Sequence, residues 1–162
     1  MRQRRGTTPE QLRRRPRWIR YNGHKVPLTI TNAPASSTNP TTWSTHAAAR
    51  DSSAGQGCGF VLNGDGIVCI DIDHCIDDQG NLAAWAEPLL QNLPPTYIEI
   101  SPSGHGLHIW GTGTNPGRCV VPLGTGTIEI YQTGRYLTIT DNPFRGSVPH
   151  LATLTKVIAG VQ

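Results

Sequence analysis

No apolar run in this sequence is long enough to cross a bilayer, and the basic N-terminus is not followed by the apolar stretch of a secretory signal. Those absences point to a soluble chain that stays in the cytoplasm and has no membrane partner. None of the four cysteines, Cys58, Cys69, Cys75 and Cys119, falls into a CxxC pair. That spacing excludes a zinc ribbon and favours four reduced thiols, so no zinc is expected. A tetrahedral site built from Cys75, Cys119 and a histidine stays open as the alternative. Lysine is scarce, with only Lys25 and Lys156, and no segment repeats. Charged residues make up only 15% of the chain against 36% hydrophobic, which is a globular rather than a disordered balance.

What is abundant is glycine (18) and proline (13), a composition for turns, so a loop-rich mixed fold is expected and not a helix bundle. At 162 residues there is enough chain to bury one core. Charge is distributed unevenly. Residues 1–20 carry eight arginines against Glu10, a net +7, which leaves the remainder at −4. An acidic body with a basic arm over residues 1–15 suits a phosphate backbone as partner. A solvated tail is the other reading of the same charge. Residues 16–162 are expected to form a single domain.

Along that domain, Thr8-Pro9-Glu10-Gln11 opens a short helix to about Arg15, and RWIRY (17–21) reads as a strand. Asn39-Pro40 starts a second helix toward residue 50, residues 81–92 look helical with Pro88 as a kink, and the helix LATLTKVIAG closes the chain. GFVL (59–62) and IVCIDID (67–73) flank Asn63-Gly64-Asp65-Gly66 as a hairpin. TYIEIS (96–101) and LHIW (107–110) form another, across a Ser-Pro-Ser-Gly turn. The fold class is α+β with a mostly antiparallel sheet.

Three segments place polar groups where a strand would bury them. In CIDIDHC (69–75), Asp71 and Asp73 leave the same strand face, and two adjacent carboxylates call for a cation between them. In SPSGHGLHIW (101–110), Gly104 and Gly106 bare the backbone N–H groups to an anion, and His108 sits within the following strand. In IEIYQTGRYLTIT (128–140), pairing Gln132 with Arg135 gives a hairpin whose core face is Ile128, Ile130, Leu137 and Ile139. Its other face carries Glu129, Tyr131, Tyr136 and Thr138. Strict alternation would send Arg135 to the core face, so it is assigned instead to a longer turn, free to reach round the edge. Taken singly, His108 reads as a structural histidine and Lys25 as a surface charge. Together, three carboxylates without a Cys/His ligand spacing describe an oxygen-rich site for Mg²⁺ or Mn²⁺, and two ions there suit an in-line phosphoryl displacement.

An hDhD strand, a later S-x-S-G-x-G-x-H turn and a still later hEh strand leading into G-R-Y resemble the archaeo-eukaryotic primase superfamily. The closer likeness is to the bifunctional primase-polymerase domain of phages and mobile elements, and it spans about residues 17–141. The resemblance implies an RRM-like sheet joined to a small α/β unit. It implies Asp71, Asp73 and Glu129 as metal-binding catalytic carboxylates and His108 as the contact to the nucleotide's phosphates. Ser101, Ser103, Gly104, Arg135 and Lys25 would line the nucleotide pocket. The implied reaction is template-directed nucleotidyl transfer from nucleoside triphosphates to a 3′-hydroxyl, in DNA replication or primer synthesis. Its partners would be a single-stranded DNA template, a primer, and a helicase or helical accessory domain in trans. The setting would be a host cytoplasm if a phage or plasmid encodes the chain. A non-catalytic RRM-like single-strand binder and a metal-dependent nuclease are the alternatives.

Removing residues 1–15 is expected to weaken template binding and flatten its dependence on salt, measured by titrating DNA at several ionic strengths. Unchanged affinity at low salt would make the arm a passive tail.

Overall fold

The computed structural model describes residues 7–162. The chain runs α1 (Glu10–Arg13), β1 (Trp18–Tyr21), β2 (Pro27–Leu28), a 3₁₀ turn at Pro40–Thr42, α2 (His46–Asp51), β3 (Gly57–Asn63) and β4 (Ile67–Ile72). It continues through α3 (Glu87–Gln91), β5 (Tyr97–Ile100), β6 (Leu107–Thr112), β7 (Val120–Leu123), β8 (Gly126–Tyr131), β9 (Thr133–Ile139), β10 (Ala152–Thr153) and α4 (Thr155–Val161). This is the expected α+β class, with short helices and mostly antiparallel strands.

The strands form two sheets instead of one. The first has the order β2-β1-β3-β9, and the second has the order β10-β6-β4-β8-β7 with β5 also paired to β6. Strand β4 is central in the second sheet and buried on both faces, so IVCI reads as a continuous apolar run. Val68, Ile70 and Ile72 enter one core with Ile109, Ile128, Ile130 and Leu154. Ile67 and Cys69 enter another with Tyr97, Trp110, Phe60, Leu62, Leu137 and Ile139, which joins the two sheets.

Two expected hairpins are corrected by this division. β3 and β4 do not pair, because β3 lies against β1 and β9 while β4 lies against β6 and β8. Nor do β8 and β9 pair: β8 lies between β4 and β7, and β9 is an edge strand beside β3. The shared core face inferred for 128–140 does not exist, since Ile128 and Ile130 belong to one core and Leu137 and Ile139 to the other. The chain changes sheet at Gln132, whose side-chain amide exchanges two hydrogen bonds with the Asn115 backbone (2.9 Å each). The other change, at Asn63–Gly66, lies beside it, with Gly64 N–H donating to the Gln132 carbonyl at 2.9 Å. The β5–β6 hairpin is as expected, pairing Ile100 with Leu107 and Tyr97 with Trp110.

Helices are shorter than the sequence suggested. Pro88 stands in the first turn of α3, where its missing N–H costs nothing, so it starts a helix and does not kink one. The segment 39–50 breaks in two, because Ser44 bridges to Trp18 and Thr45 then caps α2 by accepting from Ala48 N–H. Residues 7–15, read as part of the arm, lie on the body. Thr7 and Thr8 donate through N–H and hydroxyl to Asp141 Oδ1, and Leu12 is fully buried in the core between the sheets. Residues 1–6 of the expected arm lie outside the described residues.

A truncation that tests the arm should therefore stop at residue 6 and leave the unfolding midpoint unchanged. Leu12→Ala is expected to cost about 2–5 kcal/mol in chemical denaturation.

Candidate active site

The polar site occupies one row across the second sheet. Register pairs Asp71 with Glu129 on β8 and with His108 on β6, and pairs His108 with Glu99 on β5. Glu129, Asp71, His108 and Glu99 are thus direct cross-strand neighbours, close enough for their side chains to interact. Two residues along each strand, the next row is Tyr131, Cys69, Trp110 and Tyr97, which packs into the core between the sheets. The site is the point at which that core gives way to charge.

Asp71 is the most constrained member. Its side chain is 19% exposed, its Oδ1 is buried with no hydrogen-bond partner among the described residues, and His108 Nε2 stands 3.7 Å from it. Burial pushes its carboxyl up to about 6, with Asp73 and Glu129 acting in the same direction and His108 and Lys25 opposing. On the far side of the ring, Nδ1 stands 3.6 Å from Glu99 Oε2, an ion-pair distance and not a hydrogen bond. Burial works to lower the His108 ring, but the Glu99 and Asp71 carboxylates outweigh it and hold the ring above its ordinary value.

Asp73 lies just past β4 in an exposed turn, before His74 in the left-handed region (φ 55°). Lys25 is exposed in the turn after β1, itself left-handed (φ 58°), with its carbonyl accepting from the Tyr136 hydroxyl. The register thus brings Asp71, Glu129 and His108 side by side, while Asp73 and Lys25 lie in turns from which their charges act on Asp71. Arg135 is not in contact with them, nor in the expected longer turn: it lies within β9, paired with Leu62. Its guanidinium lies over the Tyr131 ring, 4.3 Å from the centroid. Among the described residues, no three His, Cys, Asp or Glu side chains converge into a ready-made metal cage. The donor chemistry nonetheless fits a hard divalent ion, with Asp71 Oδ1 left unpartnered beside two further carboxylates.

The Ser/Gly turn closes the adjacent end of the sheet, with a different use of its glycines than expected. Gly104 N–H donates to the Ser101 carbonyl and Gly106 N–H to Ser101 Oγ, so both are taken within the turn. A Cβ on Gly106 would come within 2.8 Å of the Ile72 carbonyl, so this glycine lets the turn approach β4. Ser103 Oγ accepts from His105 N–H and lies 3.1 Å from Ser101 Oγ.

Glu99 was missed in the sequence. Its signal was present, because Ile-Glu-Ile at 98–100 repeats the Ile-Glu-Ile at 128–130.

No family model matches the chain. The sequence is similar to a DNA primase-polymerase of Nitratiruptor phage NrS-1, with 36% identity over 138 residues that cover 80% of this chain. The match covers 19% of that phage protein, so the chain spans about a fifth of the length of its relative.

Removing the negative charge of Asp71 relieves the repulsion within the row. Without divalent ions, Asp71→Asn is expected to raise stability by about 1–3 kcal/mol in urea unfolding. A lowered midpoint would show that His108 and Lys25 already compensate the carboxylate in full.

Proposed function

We propose, from the 36% identity to a phage DNA primase-polymerase over 80% of this chain, that the chain belongs to that family and is a nucleotidyl-transfer core of the archaeo-eukaryotic primase type. The single observation that carries the reading is the direct cross-strand pairing of Asp71 with Glu129, with a buried, unpartnered Asp71 oxygen and His108 alongside.

In this reading Asp71, Glu129 and the exposed Asp73 hold Mg²⁺ or Mn²⁺ in a two-ion site. When bound, such ions activate a 3′-hydroxyl and neutralise charge on the leaving group. The hydroxyl oxygen bonds to the α-phosphorus of a nucleoside triphosphate, the bond to the bridging oxygen breaks, and pyrophosphate leaves with that electron pair. His108 donates from Nε2 to the phosphates, and Lys25 supplies a second positive charge from the opposite sheet. The hydroxyls of Ser101 and Ser103 offer further donors. Arg135 leaves Tyr131 to join them when the nucleotide enters. The partners are a single-stranded DNA template and primer, with a helicase or helical domain supplied in trans. The arginine-rich N-terminus holds the template. No described helix is long and apolar enough to cross a membrane.

A purely binding sheet would gain nothing from a row of acids, which repels a phosphate backbone. The test is incorporation of labelled nucleotide on a primed single-stranded template with Mg²⁺ or Mn²⁺. Alanine at both Asp71 and Asp73 is expected to reduce incorporation by about 10²-fold or more while DNA binding stays equal or tightens. Folded protein that binds nucleotide and incorporates none with either ion overturns the reading.

A further inference from the structure

A carboxylate in the middle of an apolar strand is costly unless something requires it. Glu99 is such a group. It sits in β5 between Ile98 and Ile100, its surface is wholly buried, and an apolar residue there would extend the adjacent core. One oxygen is firmly held, since Glu99 Oε2 accepts from both the N–H and the hydroxyl of Thr140 at 2.6 Å. The Thr140 hydroxyl also approaches the Ile100 carbonyl at 2.6 Å, which fixes Thr140 in turn. The other oxygen, Oε1, is buried with no partner among the described residues, as is Nδ1 of His108 directly across the strand pair. Nδ1 stands 3.6 Å from Oε2 of the same carboxylate, so a ring nitrogen that can donate lies beside a carboxylate with one oxygen still free.

The ring has a second edge. Nε2 points toward Asp71 and the site, so the two nitrogens of His108 face two different carboxylates. An imidazole free to flip would present either nitrogen to a ligand. One whose Nδ1–H is captured from below presents only Nε2. We propose that Glu99 is a positioning residue: its buried carboxylate accepts the Nδ1–H of His108 and so aims Nε2 at the phosphates of the incoming nucleotide. The aiming at phosphates rests on the nucleotidyl-transfer reading, whereas the approach of Nδ1 to the Glu99 carboxylate, 3.6 Å from Oε2, does not depend on it.

The same geometry makes the clamp rigid. Thr140 follows β9 of the first sheet, whereas Glu99 and His108 belong to the second. The Glu99 carboxylate beside the ring is therefore held across the junction between the sheets.

The experiment uses the full chain, uniformly ¹⁵N-labelled, with Glu99→Gln as the isosteric change. The side-chain amide of the E99Q variant can still accept from Thr140 but presents N–H toward Nδ1. Long-range ¹H–¹⁵N spectra of the His108 ring, assigned with His108→Ala, are expected to show a protonated Nδ1 in the wild type and an unprotonated Nδ1 in E99Q. In primer extension, E99Q is expected to raise KM for the nucleotide about tenfold with a much smaller change in kcat, and to have no further effect in the His108→Ala background. Should E99Q fail to fold, Thr140→Val removes one donor holding Glu99 and is expected to shift the same resonance and KM in the same direction. A ring spectrum unchanged by either substitution, or an E99Q defect that persists undiminished without His108, overturns the proposal. Should the wild type incorporate nothing, the polymerase reading fails alone, and the ring spectrum still decides the role of Glu99.

Discussion

The controlling constraint is electrostatic: Asp71 is placed beside Glu129 and near Asp73 on a strand whose other positions are buried and apolar. Nothing in the packing of β4 needs a carboxylate at that position. The alternation would place an apolar side chain there, continuing the row of Ile67 and Cys69. His108 stands 3.7 Å from it, and the charge of Lys25, in the turn after β1, acts in the same sense. Burial outweighs both, with Asp73 and Glu129 adding to it, and the carboxyl is held near 6.

Much of that site was legible in the sequence because its logic is local. Alternation along a strand puts Asp71 opposite Ile70 and Ile72 in orientation, and His108 opposite Leu107 and Ile109, whichever strands lie alongside. The α+β class was legible for the same reason, from short alternating runs and frequent glycine and proline. What could not be read was partnership. Ile128, Ile130, Leu137 and Ile139 look like one core face when written in a line, yet they serve two cores on two sheets. A two-residue turn such as Thr133-Gly134 suits a hairpin equally well as a change of sheet, and only the Gln132–Asn115 amide pairing marks the difference. Leu12 was hidden likewise, because a single apolar residue among arginines carries no periodicity, although it is fully buried.

Glu99 is a subtler omission. The motif around Glu129 stands out through the Gly-Arg-Tyr downstream of it, and the same Ile-Glu-Ile tripeptide at 98–100 lacks that continuation. The tripeptide does not settle burial: Glu129 between Ile128 and Ile130 is half-exposed, whereas Glu99 between Ile98 and Ile100 is wholly buried, and a buried acid needs a partner. In this fold Thr140 holds Oε2, and the ring of His108 stands 3.6 Å from the same oxygen. Buried acids in short apolar strands are therefore as informative as the motifs themselves.

The position of Thr140 gives the site a mechanical link to the start of the chain. Asp141, the next residue, adopts a left-handed backbone (φ 54°) and receives donors from both Thr7 and Thr8. The arginine-rich segment thus enters the fold one residue from the group that holds Glu99. The Asp141 carboxylate takes four donors on one oxygen, charge-assisted hydrogen bonds that tie the segment before α1 to the turn after β9, and Thr140, one peptide unit away, holds Glu99.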